Sequence, residues 1–319
     1  MGGLSPHSAL LRGEGRSYTL WGCGVSMNRV LRDKRAIFLF IVPCLIIYSV
    51  FVILPILWSV YYSLYDGMPG FSWKFIGLNN YANLFKDKNF VKAFVVNMKY
   101  VGIVMFGQVG FGLFMALMFK FWLKRFGSTV RTIVFFPVVL PTVAVAQLFA
   151  KIYEIQPHYG LLNSFLQGVG LPQYVQPWIG KAATALGSLA AMDIWVALGF
   201  YSIILYGALL DVPEDIIEAA RMDGCRPPQM FLHVLLPLIT PILITCFIFS
   251  FTGTVKMFES SLALTGGGPG TATKSMSMYM YDTAFTFRKT GFGSVIALFI
   301  FAVCVLGSGI IRKFDRLDI

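Results

Sequence analysis

Two groups of residues in this 319-residue chain have the types and spacing to do chemistry on a polar solute. Thr252, Lys256 and Glu259 follow one another at intervals of four and three, so a helix carries them on one face, with Lys256 and Glu259 within ion-pair reach. They lie in an apolar run, where charged side chains pair with one another or face a cavity. Two readings stand level: a mutually satisfied ion pair between helices, or a wall that hydrogen-bonds hydroxyl groups. Phe258, between them, offers a ring that stacks on the apolar face of a sugar or simply packs, the commoner fate of a membrane phenylalanine. Asp193 and Trp195 form a second such group. Asp193 also suits an outer membrane surface, and Trp195 an aromatic belt.

Other stretches offer less. "GPGTATKS", Gly268 to Ser275, is a near miss to a phosphate-binding loop, but Thr273 stands where the second glycine must let backbone N–H groups approach a phosphate. It reads as a Gly/Pro turn. The five cysteines (Cys23, Cys44, Cys225, Cys246, Cys304) and three histidines (His7, His158, His233) are scattered, which supports neither a metal site nor a disulfide framework. No catalytic residue is assigned, and no cofactor is expected on this chain.

The elements that position these residues are read from composition. The chain is 57% hydrophobic and 13% charged, with a mean hydropathy of +0.72. A soluble domain carries about 25% charged residues, so the class is an all-α polytopic membrane protein. Six spans are expected, near 37–64, 95–119, 132–153, 183–210, 239–264 and 291–311. Pro137 and Pro141 should bend the third, and Gly187 and Ala191 form a small-xxx-small spacing suited to helix packing. Fifteen of the 26 Lys and Arg fall in residues 1–36, 120–131, 211–236 and 312–319. By the positive-inside rule these segments and both termini face the cytoplasm. The same bias accounts for the net charge of +11, and no basic soluble face for nucleic acid is visible. The expected division is a tail over 1–36 (1–26 without fixed structure), a transmembrane domain over 37–311 and a tail over 312–319. Met27 is an alternative start, and the first span reads as an uncleaved signal-anchor.

The loop 211–236 is the informative one. Pro213 suits a first helical position, Glu214 and Asp215 put negative charge in the first turn, and Gly224 can close the helix in the left-handed conformation. Pro227 starts a second helix, which Pro237 and Pro241 carry into the fifth span. A helix lying on a membrane surface is normally basic. This one carries Glu214, Asp215, Glu218 and Asp223 against Arg221, so a negatively charged leaflet repels it. A short helix presented to another protein fits better than a solvated loop, with Ala219 and Ala220 permitting close approach and Ile216 as an anchor.

Glu218-Ala219-Ala220, Gly224 and "VLLP" (Val234 to Pro237) resemble the EAA motif of permease subunits of ATP-binding-cassette importers. Val234 stands where that family prefers Ile. "FIGLNNYANLF" (75–85), "GLLNSFL" (160–166) and "FESSLALTGGGPGTAT" (258–273) resemble three further landmarks of the carbohydrate-type, maltose- and glycerol-phosphate-like members. The resemblance implies a six-helix type I importer permease in the cell membrane of a bacterium or archaeon. Its coupling helix would engage an ATPase through Glu218, Ala219, Ala220, Asp223, Gly224 and Pro237. The implied partners are a second, unlike permease, two ATP-binding subunits that hold ATP and Mg, an external solute-binding protein and membrane lipid. The implied cargo is a sugar, an oligosaccharide or a polyol derivative. An ion-coupled transporter lacks the paired broken helices it needs, and a membrane enzyme lacks its motifs.

Overall fold

The computed structural model describes residues 34–123 and 127–314. The tail over residues 1–26, Met27, Cys23, His7 and the last five residues lie outside them. The chain divides into two compact units, one ending at Leu57 and the other beginning at Trp58.

The first apolar helix comprises α1 (Lys34–Tyr48), a π-helical turn (Ser49–Ile53) and α2 (Leu54–Ser63). A proline ring meets the carbonyl four residues back in an ordinary α-helix, and the widened turn just before Pro55 relieves that clash.

The second unit opens with an antiparallel hairpin, β1 (Tyr65–Met68) and β2 (Ser72–Phe75), with Tyr65 opposite Phe75. Next come α3 (Asn79–Leu84), α4 (Lys88–Phe121), α5 (Gly127–Phe135), a 3-10 turn (Phe136–Val139) and α6 (Thr142–Ile152). They are followed by α7 (Leu161–Gly168), α8 (Ala182–Leu210), α9 (Glu214–Met222), α10 (Pro227–Met230), a π turn (Phe231–Leu235) and α11 (Leu236–Val255). The chain ends with α12 (Glu259–Thr265), α13 (Met276–Tyr281) and α14 (Thr290–Lys313).

Among the described residues five helices are long and apolar enough to cross a membrane: Phe38–Ser63, Lys88–Phe121, Ala182–Leu210, Pro227–Val255 and Thr290–Lys313. A sixth crossing requires Gly127–Val139 and Thr142–Ile152 to act together, and these are bent by 102°. Pro137 and Pro141 produce that bend, far beyond a kinked straight span. The fifth span also differs from expectation. It starts at Pro227, inside the segment read as a loop, and stops at Val255 rather than Leu264. Thr252 and Thr254 return hydroxyl bonds to the Ile248 and Ser250 carbonyls, at 2.8 and 2.7 Å, which weakens a helix already carrying Gly253.

Helices α4 and α8 run parallel at the centre, and α11 crosses α4 antiparallel. Glycines set the spacing. A Cβ on Gly112 of α4 would stand 2.7 Å from the Tyr201 Cβ of α8, and one on Gly199 would stand 2.4 Å from the Val134 carbonyl oxygen of α5. Gly187, expected in packing, has nothing within 4 Å, and Ala191 is exposed. The small-residue contact lies twelve residues further along the same helix.

Gly199→Val should therefore force α5 away from α8. Overpacking of this kind costs about 1–3 kcal/mol, and detergent-solubilised protein should show a lower melting temperature and reduced monodisperse yield. Gly187→Val, over open space, should leave both unchanged.

Candidate functional site

The acidic loop folds as a short capped helix. Helix α9 begins after Pro213, which is the extended capping residue (ψ 136°) and not the first helical one. It closes at Asp223, with Gly224 at φ +80° and the Cys225 N–H on the Ala220 carbonyl at 3.0 Å. The Gln229 carboxamide oxygen accepts the Arg226 N–H at 3.0 Å and starts α10. One face of α9 turns inward: Ile217 joins the core of Leu205, Leu209, Val212, Met230 and Leu235, and Ala220 is buried. Ala220 therefore gives α9 its close approach to its own protein and leaves Ala219 as the outward alanine. The outward face carries Asp215, Ile216, Glu218, Ala219, Met222 and Asp223. Met222, 87% exposed, went unnoticed in the sequence, although Ile216, Ala219 and Met222 repeat at the three-residue interval of one helical stripe. Glu218 borders a polar cavity of about 520 Å³ with Glu214, Arg221, Lys120 and Arg131, and Arg131 stacks 4.7 Å over the Tyr206 ring. Pro237 lies in the first turn of α11, directly after the π turn that widens the helix ahead of it.

The pathway candidates are not brought together as one face. Asp193 lies eleven residues inside α8, away from either end, and accepts a hydrogen bond from the Tyr100 hydroxyl of α4. Trp195, two residues on, packs against Phe149 of α6 at 5.5 Å between rings. Neither sits at a helix end, where a surface carboxylate or an aromatic belt would place them. Asp193 belongs to a larger set of ties. Gln108 donates to the Asp193 carbonyl at 3.1 Å and accepts from Ser250 of α11 at 2.7 Å. Asn97 donates to the Thr254 carbonyl at 3.2 Å and accepts the Met276 N–H at 3.1 Å. Tyr100, Asn97 and Ser250 were not singled out from the sequence. They are ordinary residues until their partners on distant helices are known.

Lys256 and Glu259 do not pair. The ion pairs among the described residues are Lys151–Glu154 and Lys274–Asp282. Helix α11 stops at Val255, the chain turns through Lys256–Phe258, and Glu259 opens α12, so the expected helical spacing is lost. Both charges are exposed. Lys256 and Thr252 border a cavity of about 600 Å³ with Phe301, Cys304 and Ser308 of α14. The Phe258 ring packs on Tyr281 at 5.4 Å, and Tyr281 packs on the exposed Phe285 at 5.2 Å.

The sequence landmarks at the other end of the helices are clamps. Asn80 donates to the Ser63 and Tyr65 carbonyls at 2.9 and 2.8 Å. Asn163 donates to the Glu154 and Gln176 carbonyls, both at 3.2 Å, and accepts the Trp178 indole N–H at 2.8 Å. In the glycine turn Thr273 is fully buried and donates to the Gly268 carbonyl at 3.0 Å, so this loop's polar groups are turned on one another and not toward a phosphate. Tyr279 donates to Asp87 at 2.5 Å; burial, and then that bond, raises its pKa well above the ordinary phenol value. Among the described residues no three His, Cys, Asp or Glu side chains converge as a metal site.

The family model described as the binding-protein-dependent transport system inner membrane component matches residues 108–317. The chain belongs to that family. It is 34% identical over 289 residues to the probable ABC transporter permease protein YurN of Bacillus subtilis (strain 168), covering 90% of this chain and 98% of that one. It is 31% identical over 288 residues to the trehalose/maltose transport system permease protein MalF of Thermococcus litoralis, covering 89% and 95%. The crystal structure of a bacterial alginate ABC transporter in complex with an alginate pentasaccharide-bound periplasmic protein contains a chain of the same fold. That chain matches with a TM-score of 0.78 and 20% identity over 91% of this permease and 96% of its own length. The fold is that of a type I ABC importer permease, and the carbohydrate-type resemblance is borne out. A permease subunit of this kind is non-catalytic, with the ATPase on a separate chain.

Removing Asn97 strands the buried Met276 N–H and takes one bond from the Thr254 carbonyl, which keeps the Met257 N–H at 3.2 Å. Asn97→Ala should cost about 1–3 kcal/mol, seen as a lower melting temperature of the purified permease. Asn89→Ala, at an exposed position, should leave it unchanged.

Proposed function

We propose that this permease forms half of the translocation pathway of an ATP-driven, binding-protein-dependent importer for a sugar, an oligosaccharide or a related polyol, and that α9 is its coupling helix. The observation that carries the reading is α9 itself. A nine-residue helix pinned by Ile217 and Ala220 presents an acidic outer face with an apolar stripe, Ile216–Ala219–Met222, and none of the described residues covers it. Such a face suits a groove in a partner, and the partner is a cytoplasmic ATPase subunit holding ATP and Mg. Glu218, Ala219 and Asp223 meet the groove. Ala220 and Gly224 set the helix against the permease, and the π turn before Pro237 supplies the pivot. Closure of the ATPase pair then shifts the permease between inward-open and outward-open states.

The end of the helices bearing α9 also carries Lys120, Arg131, Arg221, Arg226, Arg312 and Lys313, which supports a cytoplasmic location for it and for both termini. The domain division is a tail over 1–36, the permease domain over 37–311 with the coupling loop 211–236, and a tail over 312–319. The protein resides in the cell membrane of a bacterium or archaeon. It pairs with a second, unlike permease, two ATPase subunits and an external solute-binding protein. The sugar class is supported by a relative named for trehalose and maltose transport and by the alginate transporter of like fold. Thr252, Lys256, Phe258 and Glu259 supply the pathway wall: two exposed charges and a hydroxyl for a sugar's hydroxyl groups, and an aromatic row, Phe258–Tyr281–Phe285, for its apolar face. Asp193 contributes by holding Tyr100, and Trp195 by packing against Phe149.

Glu218→Lys should reduce uptake to background while membrane insertion and yield stay at the wild-type level. Uptake at the wild-type rate would remove α9 from the coupling role. Phe258→Ala should raise the concentration for half-maximal uptake by about tenfold, the equivalent of roughly 1.4 kcal/mol of lost contact. An unchanged value would place the sugar elsewhere.

A further inference from the structure

The last two turns of α4 and the chain that follows α9 enclose a cavity of about 550 Å³ that the coupling role does not use. Leu117, Phe121, Met230 and Phe231 form much of its wall, and among the described residues Arg221 is the one charged side chain that lines it. Cys225 opens onto it as well. One candidate span ends at Phe121 and another begins at Pro227, so the cavity lies at the rim of the membrane-crossing region, where hydrocarbon and headgroups meet. Its volume falls in the range of about 300–1,000 Å³ typical of pockets that enclose a ligand. An apolar space of this size left empty forfeits the dispersion contacts of every wall atom, and an acyl chain is the apolar molecule in reach.

Arg221 selects among lipids. It forms no ion pair among the described residues, although it also borders the neighbouring cavity that holds Glu214 and Glu218. A guanidinium fork matches two phosphate oxygens at once, and the exposed Arg226 at the start of α10 adds a second positive charge at the same rim. We infer that this cavity is a binding site for an anionic phospholipid, with one acyl chain between α4 and the start of the fifth span and the phosphate on Arg221. The bound chain wedges the Gly224 turn against α4, so the lipid braces the base of α9. Membrane composition would then enter the coupling step through a site distinct from both the docking face and the sugar pathway.

Cys225 is a built-in reporter. The chain, purified in mild detergent with the subunits that accompany it, is placed in nanodiscs of phosphatidylcholine alone or of phosphatidylcholine with phosphatidylglycerol. Alkylation of Cys225 by an apolar maleimide is followed by site-resolved mass spectrometry, with Cys304, on α14, as the internal reference. Phosphatidylglycerol should slow Cys225 about fivefold, the protection given by a ligand at about four times its Kd, and leave Cys304 unchanged. Arg221→Gln should abolish the difference between the two lipids. Leu117→Trp, which fills the cavity, should slow Cys225 in both. Equal Cys225 rates in the two lipids for the wild type, or protection that persists in Arg221→Gln, would overturn the site. Since the wild-type comparison alone decides against it, the test survives a variant that fails to fold.

Discussion

The structure depends on a small number of polar side chains that tie apolar helices together where no hydrophobic drive does so. Lipid tails are as apolar as leucine, so membrane helices associate through close packing and interhelical hydrogen bonds, worth about 0.6 kcal/mol each on average. Here Asn97, Tyr100 and Gln108, spread over about three turns of α4, reach α8, α11 and the start of α13. Every other placement follows from this seam. It brings Gly112 against Tyr201, which fixes the α4–α8 distance, and it sets the end of α11 where the chain breaks at Lys256. A seam of this kind is specific as well as cohesive, because a slip of one residue along α4 leaves several buried groups without partners.

The two ends of these helices are built for different tasks. At one end the loops are closed by asparagine clamps and a self-bonded glycine turn, which hold the hairpin, α3 and the Gly266–Thr273 turn in fixed shapes. At the other end α9 is held by core packing on one face and left bare on the other. A helix of nine residues is too short to be stable alone in water. It persists because Ile217 packs into the core that α8 and α11 share and Ala220 is buried beside it. The broken helices lie between these ends. The 102° bend at Pro137–Pro141, the π turn before Pro237 and the turn through Lys256–Phe258 are the points at which regular helix is broken.

Much was legible in the amino-acid order because its signals are local. The apolar runs mark the spans, Pro137 and Pro141 mark a bend, and the pattern from Pro213 through Gly224 marks a short capped helix with an acidic face. The motif around Glu218-Ala219-Ala220 and the three loop landmarks identified the family. Each of these signals lies within one turn or one loop, where propensity and hydrogen bonding decide the outcome. What the tertiary structure alone decided involves residues far apart in the chain. The Asn80 and Asn163 landmarks do their work through carbonyls up to 17 residues away, and Asn97 binds a carbonyl 157 residues away. Lys256 and Glu259 keep a helical spacing on paper, but threonine back-bonding and Gly253 end the helix between them. Ala219 and Ala220 are indistinguishable as letters, and only the packing of Ile217 against Leu205 and Leu235 turns one outward and the other into the core. Sequence specifies which residues can be buried; which ones are buried is set by the neighbours that arrive from elsewhere in the chain.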